Sequence, residues 1–180
     1  MPEFGYSSFS PAAGAKQARA MGVDVEASFK DLSQVCASIK GKSVGDAKAL
    51  LEKACEGEAA IPYRKFSRKL GHRRELGGKK GRYPKKASRA VLKVLENAKA
   101  NASFKGLGEP LFVAHACANK MRVFPRLQSK GRRVRHDYET SKVEIILLEA
   151  PGAKPAEKKE AEKQEKKHEK KEEKKAKALA

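Results

Sequence analysis

Apolar residues recur along this chain at two periods, and the change from one to the other marks its elements. Residues 111–117 (Leu-Phe-Val-Ala-His-Ala-Cys) and 143–148 (Val-Glu-Ile-Ile-Leu-Leu) have the apolar and β-branched content of a buried antiparallel pair. Ala114, Ala116 and Ala118 alternate on one face of the first and allow a close neighbour. A shorter alternation, Val23-Asp24-Val25-Glu26-Ala27, predicts a third strand. Elsewhere the period lengthens to that of a helix. Ser28 and Asp31 have the spacing of a capping box ahead of Leu32, Val35, Cys36 and Ile39, and Gly41 stops the run. Ser43 and Asp46 repeat the box ahead of Val44, Ala47, Leu51, Ala54 and Cys55, closed by Gly57. Pro84 suits a first helical turn, after which Ala87, Val91, Leu95, Ala98 and Ala102 line one face of a long helix ending near Gly106. The economical architecture is α+β: about three helices packed on a three-stranded antiparallel sheet, two layers around one core.

Two stretches break this pattern, and both are basic. Residues 119–142 join the two long strands through Lys120, Arg122, Arg126, Lys130, Arg132, Arg133 and Arg135 before the first acid, Asp137. Val123, Phe124, Leu127, Val134 and Tyr138 are interspersed among them. Two arms of about a dozen residues, each rising ~3.3 Å, reach ~40 Å beyond the sheet as a protruding hairpin. Such a ribbon is marginal in water alone, so a partner outside the chain should complete it. Phe124 and Tyr138 suit stacking on bases, and the cations suit polyphosphate. The second stretch, residues 63–89, sets Arg64, Lys65, Arg68, Lys69, Arg73, Arg74, Lys79, Lys80, Arg82, Lys85, Lys86 and Arg89 against Glu75 alone, with Gly71, Gly77, Gly78 and Gly81 opening the backbone. A solvated face normally mixes signs. The G-x-x-x-x-G-K-[ST] order of a phosphate-binding loop is absent, and cations beside open glycine backbone fit an rRNA-like surface better.

Charge sharpens this reading. The 180 residues carry a formal net charge of +19, and a polyanion is the usual reason to keep so large an excess. Residues 1–150 hold 30 of the 41 Lys and Arg against 15 acids, whereas residues 151–180 mix 11 with 7 and read as a flexible Lys/Glu tail. Residues 1–22 show no sustained period and read as an extended arm, leaving 23–150 as the body. Cys36, Cys55 and Cys117 are an odd, scattered set that reads as small buried hydrophobes in a reducing compartment. Their spacing from His72, His115 and His136 does not match a zinc site, and no metal or cofactor is expected. His115 reads as a hydrogen-bonded core residue. Cys117 shares its face but lacks an obvious third partner, so no catalytic constellation emerges. No run approaches the ~20 apolar residues of a membrane span, and residues 1–22 lack a signal-peptide core, which points to the cytoplasm.

Several motifs together resemble the universal large-subunit ribosomal protein family numbered twenty-two, in its archaeal and eukaryotic form. They are Tyr6-Ser7-Ser8-Phe9, Lys16-Gln17-Ala18-Arg19-Ala20-Met21-Gly22, Ser28-Phe29-Lys30 and Ile61-Pro62-Tyr63-Arg64-Lys65-Phe66. They continue with Gly71-His72-Arg73, Gly81-Arg82-Tyr83-Pro84-Lys85-Lys86-Ala87, Leu95-Glu96-Asn97-Ala98 and Val143-Glu144-Ile145-Ile146-Leu147. The resemblance implies an α+β body seated in large-subunit rRNA and a long hairpin lining the nascent-peptide exit tunnel, a structural and assembly role without catalysis. It implies as partners rRNA, neighbouring large-subunit proteins and the nascent peptide, with neither a membrane nor a second copy of the chain. Together with the basic pattern, it assigns rRNA contact to Arg64, Lys65, Arg68, His72, Arg73, Arg74, Lys79, Lys80, Arg82, Tyr83, Lys85, Lys86 and Arg89. The hairpin contacts fall on Lys120, Arg122, Pro125, Arg126, Lys130, Gly131, Arg132, Arg133 and Arg135. The tip departs from the family's Arg-Ala-x-Gly-Arg: this chain has Arg126-Leu127-Gln128-Ser129-Lys130-Gly131-Arg132, two residues longer and without the alanine. The rival readings are an architectural DNA-binding protein with basic β-arms and a free RNA chaperone. The first has no place for the second basic stretch at 63–89.

Overall fold

The most apolar run of the chain becomes the central strand of a three-stranded antiparallel sheet. In the computed structural model, which describes Tyr6 and residues 16–154, β5 (Tyr138–Lys154) lies between β1 (Gln17–Val25) and β4 (Glu109–Phe124). Both faces of this strand are buried, which is why its apolar residues are contiguous: Val143, Ile145 and Leu147 enter the core, while Glu144 and Ile146 are buried on the alternate face. Helix α1 (Phe29–Ile39) packs against β4, α3 (Lys85–Phe104) crosses β1 and β5, and α2 (Val44–Glu56) packs on α3. The apolar stripes expected from the periodicity fill the interface. Leu32, Ile39, Leu51, Val91 and Leu95 are buried, each burial contributing roughly 2 kcal/mol. This is the α+β arrangement anticipated from the sequence.

Each sheet edge is covered over part of its length. Along β4, Gly41 N–H donates to Val113 O at 2.8 Å and Val113 N–H to Lys42 O at 3.0 Å, so the α1–α2 connection pairs with the strand. Along β1, the Asn101 amide donates to Arg19 O at 2.9 Å and the Lys105 ammonium to Gln17 O at 3.1 Å. Unpaired strand edges invite aggregation, and these contacts occupy part of each.

The structure redraws four expectations. The third strand covers Gln17–Val25 rather than 23–27, because Ala18 and Ala20 alternate inward and let β1 lie close under α3. Thus β1 begins before the expected start of the body at 23, and β5 continues past its expected end at 150. Residues 1–5 and 7–15 of the arm and the tail beyond 154 lie outside the described residues. Ala114 does not share a face with Ala116 and Ala118. The pairing of Val113 with Leu147 and of His115 with Ile146 leaves it as the extra residue of a β-bulge, and Val113, Ala116 and Ala118 are the buried set. The two capping boxes also differ. Ser43 Oγ accepts from Asp46 N–H at 3.1 Å as expected, whereas Ser28 makes no side-chain cap, and the Asp31 carboxylate accepts from the Tyr63 hydroxyl instead of turning back to the helix start. No helix among the described residues is long and apolar enough to cross a membrane.

Candidate nucleic-acid interface

The basic stretch 63–89 is a closed loop with built-in geometry. Its ends are tied by a two-stranded ladder, β2 (Ile61–Pro62) with β3 (Gly81–Arg82), which Tyr63 N–H extends by donating to Lys80 O at 3.0 Å. Gly81 belongs here because a side chain would not fit: a Cβ would lie 2.8 Å from Ile61 O. Farther out, a bridge pairs His72 with Lys80, and a single 3-10 turn (Arg74–Leu76) reverses the chain through Gly77 and Gly78, both at positive φ. The body grips the loop from behind. Gln34, buried on α1, accepts through Oε1 from Arg64 N–H at 3.0 Å and Lys65 N–H at 3.3 Å. The Tyr63 hydroxyl donates to Asp31 Oδ1 at 2.7 Å. Burial first, and the carboxylate it donates to second, push the Tyr63 phenol well above the usual tyrosine range.

Most of the cations assigned to this loop point outward. Arg64, Lys65, Arg68, Arg74, Lys79, Lys80, Arg82, Lys85, Lys86 and Arg89 are exposed, as is His72, whose Nδ1 lies 2.6 Å from Gly78 O. Among the described residues, no acidic side chain forms an ion pair with any of them. Arg73 and Tyr83 are different. Arg73 donates through Nε to Gly81 O at 3.1 Å and stacks its guanidinium 5.1 Å from the Tyr83 ring, whose hydroxyl donates to Glu75 at 2.8 Å. These two half-buried residues brace the loop, and Glu75, the loop's only acid, is spent on bracing too.

The hairpin leaves the sheet at a clip that the sequence does not reveal. Asp24 sits at φ +52 in the bulge of β1 and accepts through Oδ1 from Thr140 Oγ1 at 3.0 Å. Thr140 Oγ1 in turn accepts from Arg122 N–H at 3.2 Å, and the Arg122 guanidinium lies 3.6 Å from Asp24 Oδ2. Beyond it the ladder continues through Phe124 paired with Tyr138, ring centroids 6.0 Å apart, and through Leu127 bridged to Arg135. Arg126 donates to His136 O at 2.9 Å and lies 5.6 Å from the Tyr138 ring. Lys130 and Gly131, both at positive φ, turn the tip beyond Pro125, giving the longer loop a defined reversal. Lys120 pairs with Glu139 and Arg135 with Asp137. Lys130, Arg132 and Arg133 are exposed at the end, without an ion pair to any described residue. Val123, Phe124, Leu127 and Val134 are exposed alongside them.

On the sheet face away from the helices, Glu144 supplies the third partner that the sequence does not offer His115 and Cys117. Their ligand atoms lie within 4.8 Å of one another, with Cys117 Sγ 3.6 Å from Glu144 Oε2 and the Lys142 ammonium 2.5 Å from Oε1. Burial, then the charge of Lys40, lower the His115 pKa. Gln34 and Glu144 escape a reading of the sequence, as does the bond of Asp31 to Tyr63 in place of its capping role. Only Gln34 carries a signal there, as an uncharged polar residue amid the apolar positions of α1.

A model of the ribosomal protein L22p/L17e family matches residues 20–148, a span that takes in the core sheet, the basic loop and the hairpin. The large ribosomal subunit protein uL22 of Archaeoglobus fulgidus is 40% identical over 142 residues, covering 77% of this chain and 92% of that protein. Proteins of the same name from Methanothrix thermoacetophila and Sulfurisphaera tokodaii are each 41% identical, over 73% and 74% of this chain and 90% of theirs.

Proposed function

The chain belongs to the ribosomal protein L22p/L17e family, and from that premise we propose that it is a structural constituent of the large ribosomal subunit. It binds large-subunit rRNA through the 63–89 loop and the first turn of α3, supports assembly of the subunit beside its neighbouring proteins, and lays the 119–142 hairpin along the nascent-peptide exit tunnel. The role is scaffolding rather than catalysis. The observation that carries this reading is the loop itself, a braced platform whose exposed cations have no acidic partner among the described residues. Cations so placed are available for phosphates, which supply most of the affinity in such interfaces.

The hairpin fits the same partner. Its paired cations stiffen the arms, and Lys130, Arg132 and Arg133 remain at the tip beside exposed apolar side chains, a mixture suited to an RNA wall with a passing peptide. Sedimentation of a tagged copy through a sucrose gradient, followed by RNA crosslinking, tests the reading. Recovery in the large-subunit peak with crosslinks from both 63–89 and 119–142 is the expected result. Recovery at the top of the gradient, or on chromosomal DNA, overturns it.

A further inference from the structure

Behind the basic loop lies a cleft of about 540 Å³, lined by Phe66, Lys30, Asp31, Tyr63, Arg68 and Arg82 among others. Phe66 is the unusual member. It holds φ +58, a left-handed conformation that side chains other than glycine rarely adopt, and Lys69 three residues on does the same. The residue is nonetheless 43% exposed. It meets Phe29 edge to face at 6.1 Å and carries the Lys30 ammonium 5.7 Å from its centroid. A strained backbone that presents an aromatic ring to solvent, in a segment pinned by Gln34 and by the Tyr63–Asp31 bond, is not explained by core packing.

The chemistry around the ring narrows what it receives. Lys30, Arg68 and Arg82 are exposed on the rim and set positive charge around it. Asp31 faces inward as a carboxylate acceptor, and Ser28 and Ser67 add hydroxyls. An aromatic platform, one acceptor-only carboxylate and surrounding cations match a nucleotide: a flat base to stack, an amino group to donate, and phosphates to neutralise. An aliphatic protein side chain would use neither the carboxylate nor the cations. We propose that this cleft takes a single unpaired, amino-bearing RNA base, stacked on Phe66 with its Watson–Crick edge toward Asp31 and its flanking phosphates on Arg68 and Arg82. The inference rests on the rRNA-binding reading above and adds to it a base-specific contact.

Two variants separate stacking from folding. Phe66→Gly removes the ring and relaxes the backbone, since glycine accepts φ +58 without a steric cost, while Phe66→Leu keeps apolar bulk without a π face. Large subunits carrying each variant, and unaltered subunits, are probed with dimethyl sulfate and kethoxal across the whole large-subunit rRNA. Unaltered subunits are also crosslinked with ultraviolet light and the peptide carrying the adduct is identified. The expected result is one nucleotide, protected in unaltered subunits, that becomes about tenfold or more reactive in both variants, with an adduct on the 63–68 peptide. No nucleotide changing, with adducts elsewhere in the loop, or a protein side chain crosslinked at this position, overturns the pocket and leaves the rRNA reading standing. Absence of any RNA adduct on the chain overturns both.

Discussion

Tyr63 and Asp31 stand 32 residues apart in the chain, yet the phenol donates to the carboxylate at 2.7 Å and joins the start of the basic loop to the first turn of α1. A hydrogen bond to a charged acceptor contributes more than a neutral one, and here Tyr63 is buried while Asp31 is only partly shielded from water. Tyr63→Phe and Asp31→Asn should each lower stability by about 1 kcal/mol. Because the two changes remove the same bond, the double variant should fall short of their sum, with a coupling of at least ~0.5 kcal/mol in urea denaturation. Additive losses would show that the bond contributes nothing of its own.

Gln34 anchors the same loop through backbone rather than side chain. Its Oε1 accepts from the consecutive amides of Arg64 and Lys65, and it is 4% exposed, so water cannot replace it readily. Gln34→Leu keeps the volume and leaves both N–H groups without their acceptor, at a cost of about 1–3 kcal/mol. Hydrogen exchange at Arg64 and Lys65 should quicken by at least about tenfold, while amides in β5 change no more than the global loss requires. Uniform acceleration across the chain would mean that Gln34 serves the core and not the loop.

How far the sequence reveals this molecule can be judged residue by residue. Ser28–Asp31 and Ser43–Asp46 have the same spacing, yet only the second has its serine cap, and the Asp31 carboxylate that would complete the first box accepts from a tyrosine distant in sequence. Spacing describes local opportunity, and a tertiary competitor is invisible to it. The start of β1 is hidden because its inward positions, Ala18 and Ala20, are too small to stand out as an apolar alternation. The long strands, the α3 stripe and the two basic stretches are plain, since each repeats its signal over many residues. Within those stretches, however, sequence treats all cations alike. Only the fold separates Arg73, folded inward against Tyr83 and Gly81 O, from its exposed neighbours. Phe66 gives no sign of its positive φ, because a backbone angle in a loop is set by what the loop must enclose.

His115 gives the fold a mild dependence on pH. Its imidazole is partly buried near Lys40, Cys117 and Glu144. Burial first and Lys40 second hold its pKa below the ordinary 6.5, with Glu144 opposing them. The unfolded chain therefore takes up the proton before the folded one does. Stability is complete above pH 6.5, declines as pH falls through that value toward the folded pKa, and levels off below it. The thermal midpoint should drop between about pH 7.5 and pH 5.5, and the drop should shrink in His115→Gln. An equal drop in the variant would assign the effect to other groups.

Exposed and folded-in cations should separate in a salt titration. Lys79, Lys80 and Arg82 are exposed and, among the described residues, form no ion pair, so replacing all three with glutamine should leave the thermal midpoint nearly unchanged. Each phosphate that the chain no longer neutralises takes roughly 0.7 to 0.9 from the slope of log affinity against log salt. The triple variant should therefore bind large-subunit rRNA with a slope shallower by about 2. Arg73→Gln should behave in the opposite way. Without its bond to Gly81 O and its stacking on Tyr83, the loop should lose about 1–2 kcal/mol of stability, with a slope change of less than about 1. A triple variant whose slope matches the unaltered chain would mean that these cations do not meet phosphates. An Arg73 variant that stays stable while its slope falls would move that residue from brace to contact.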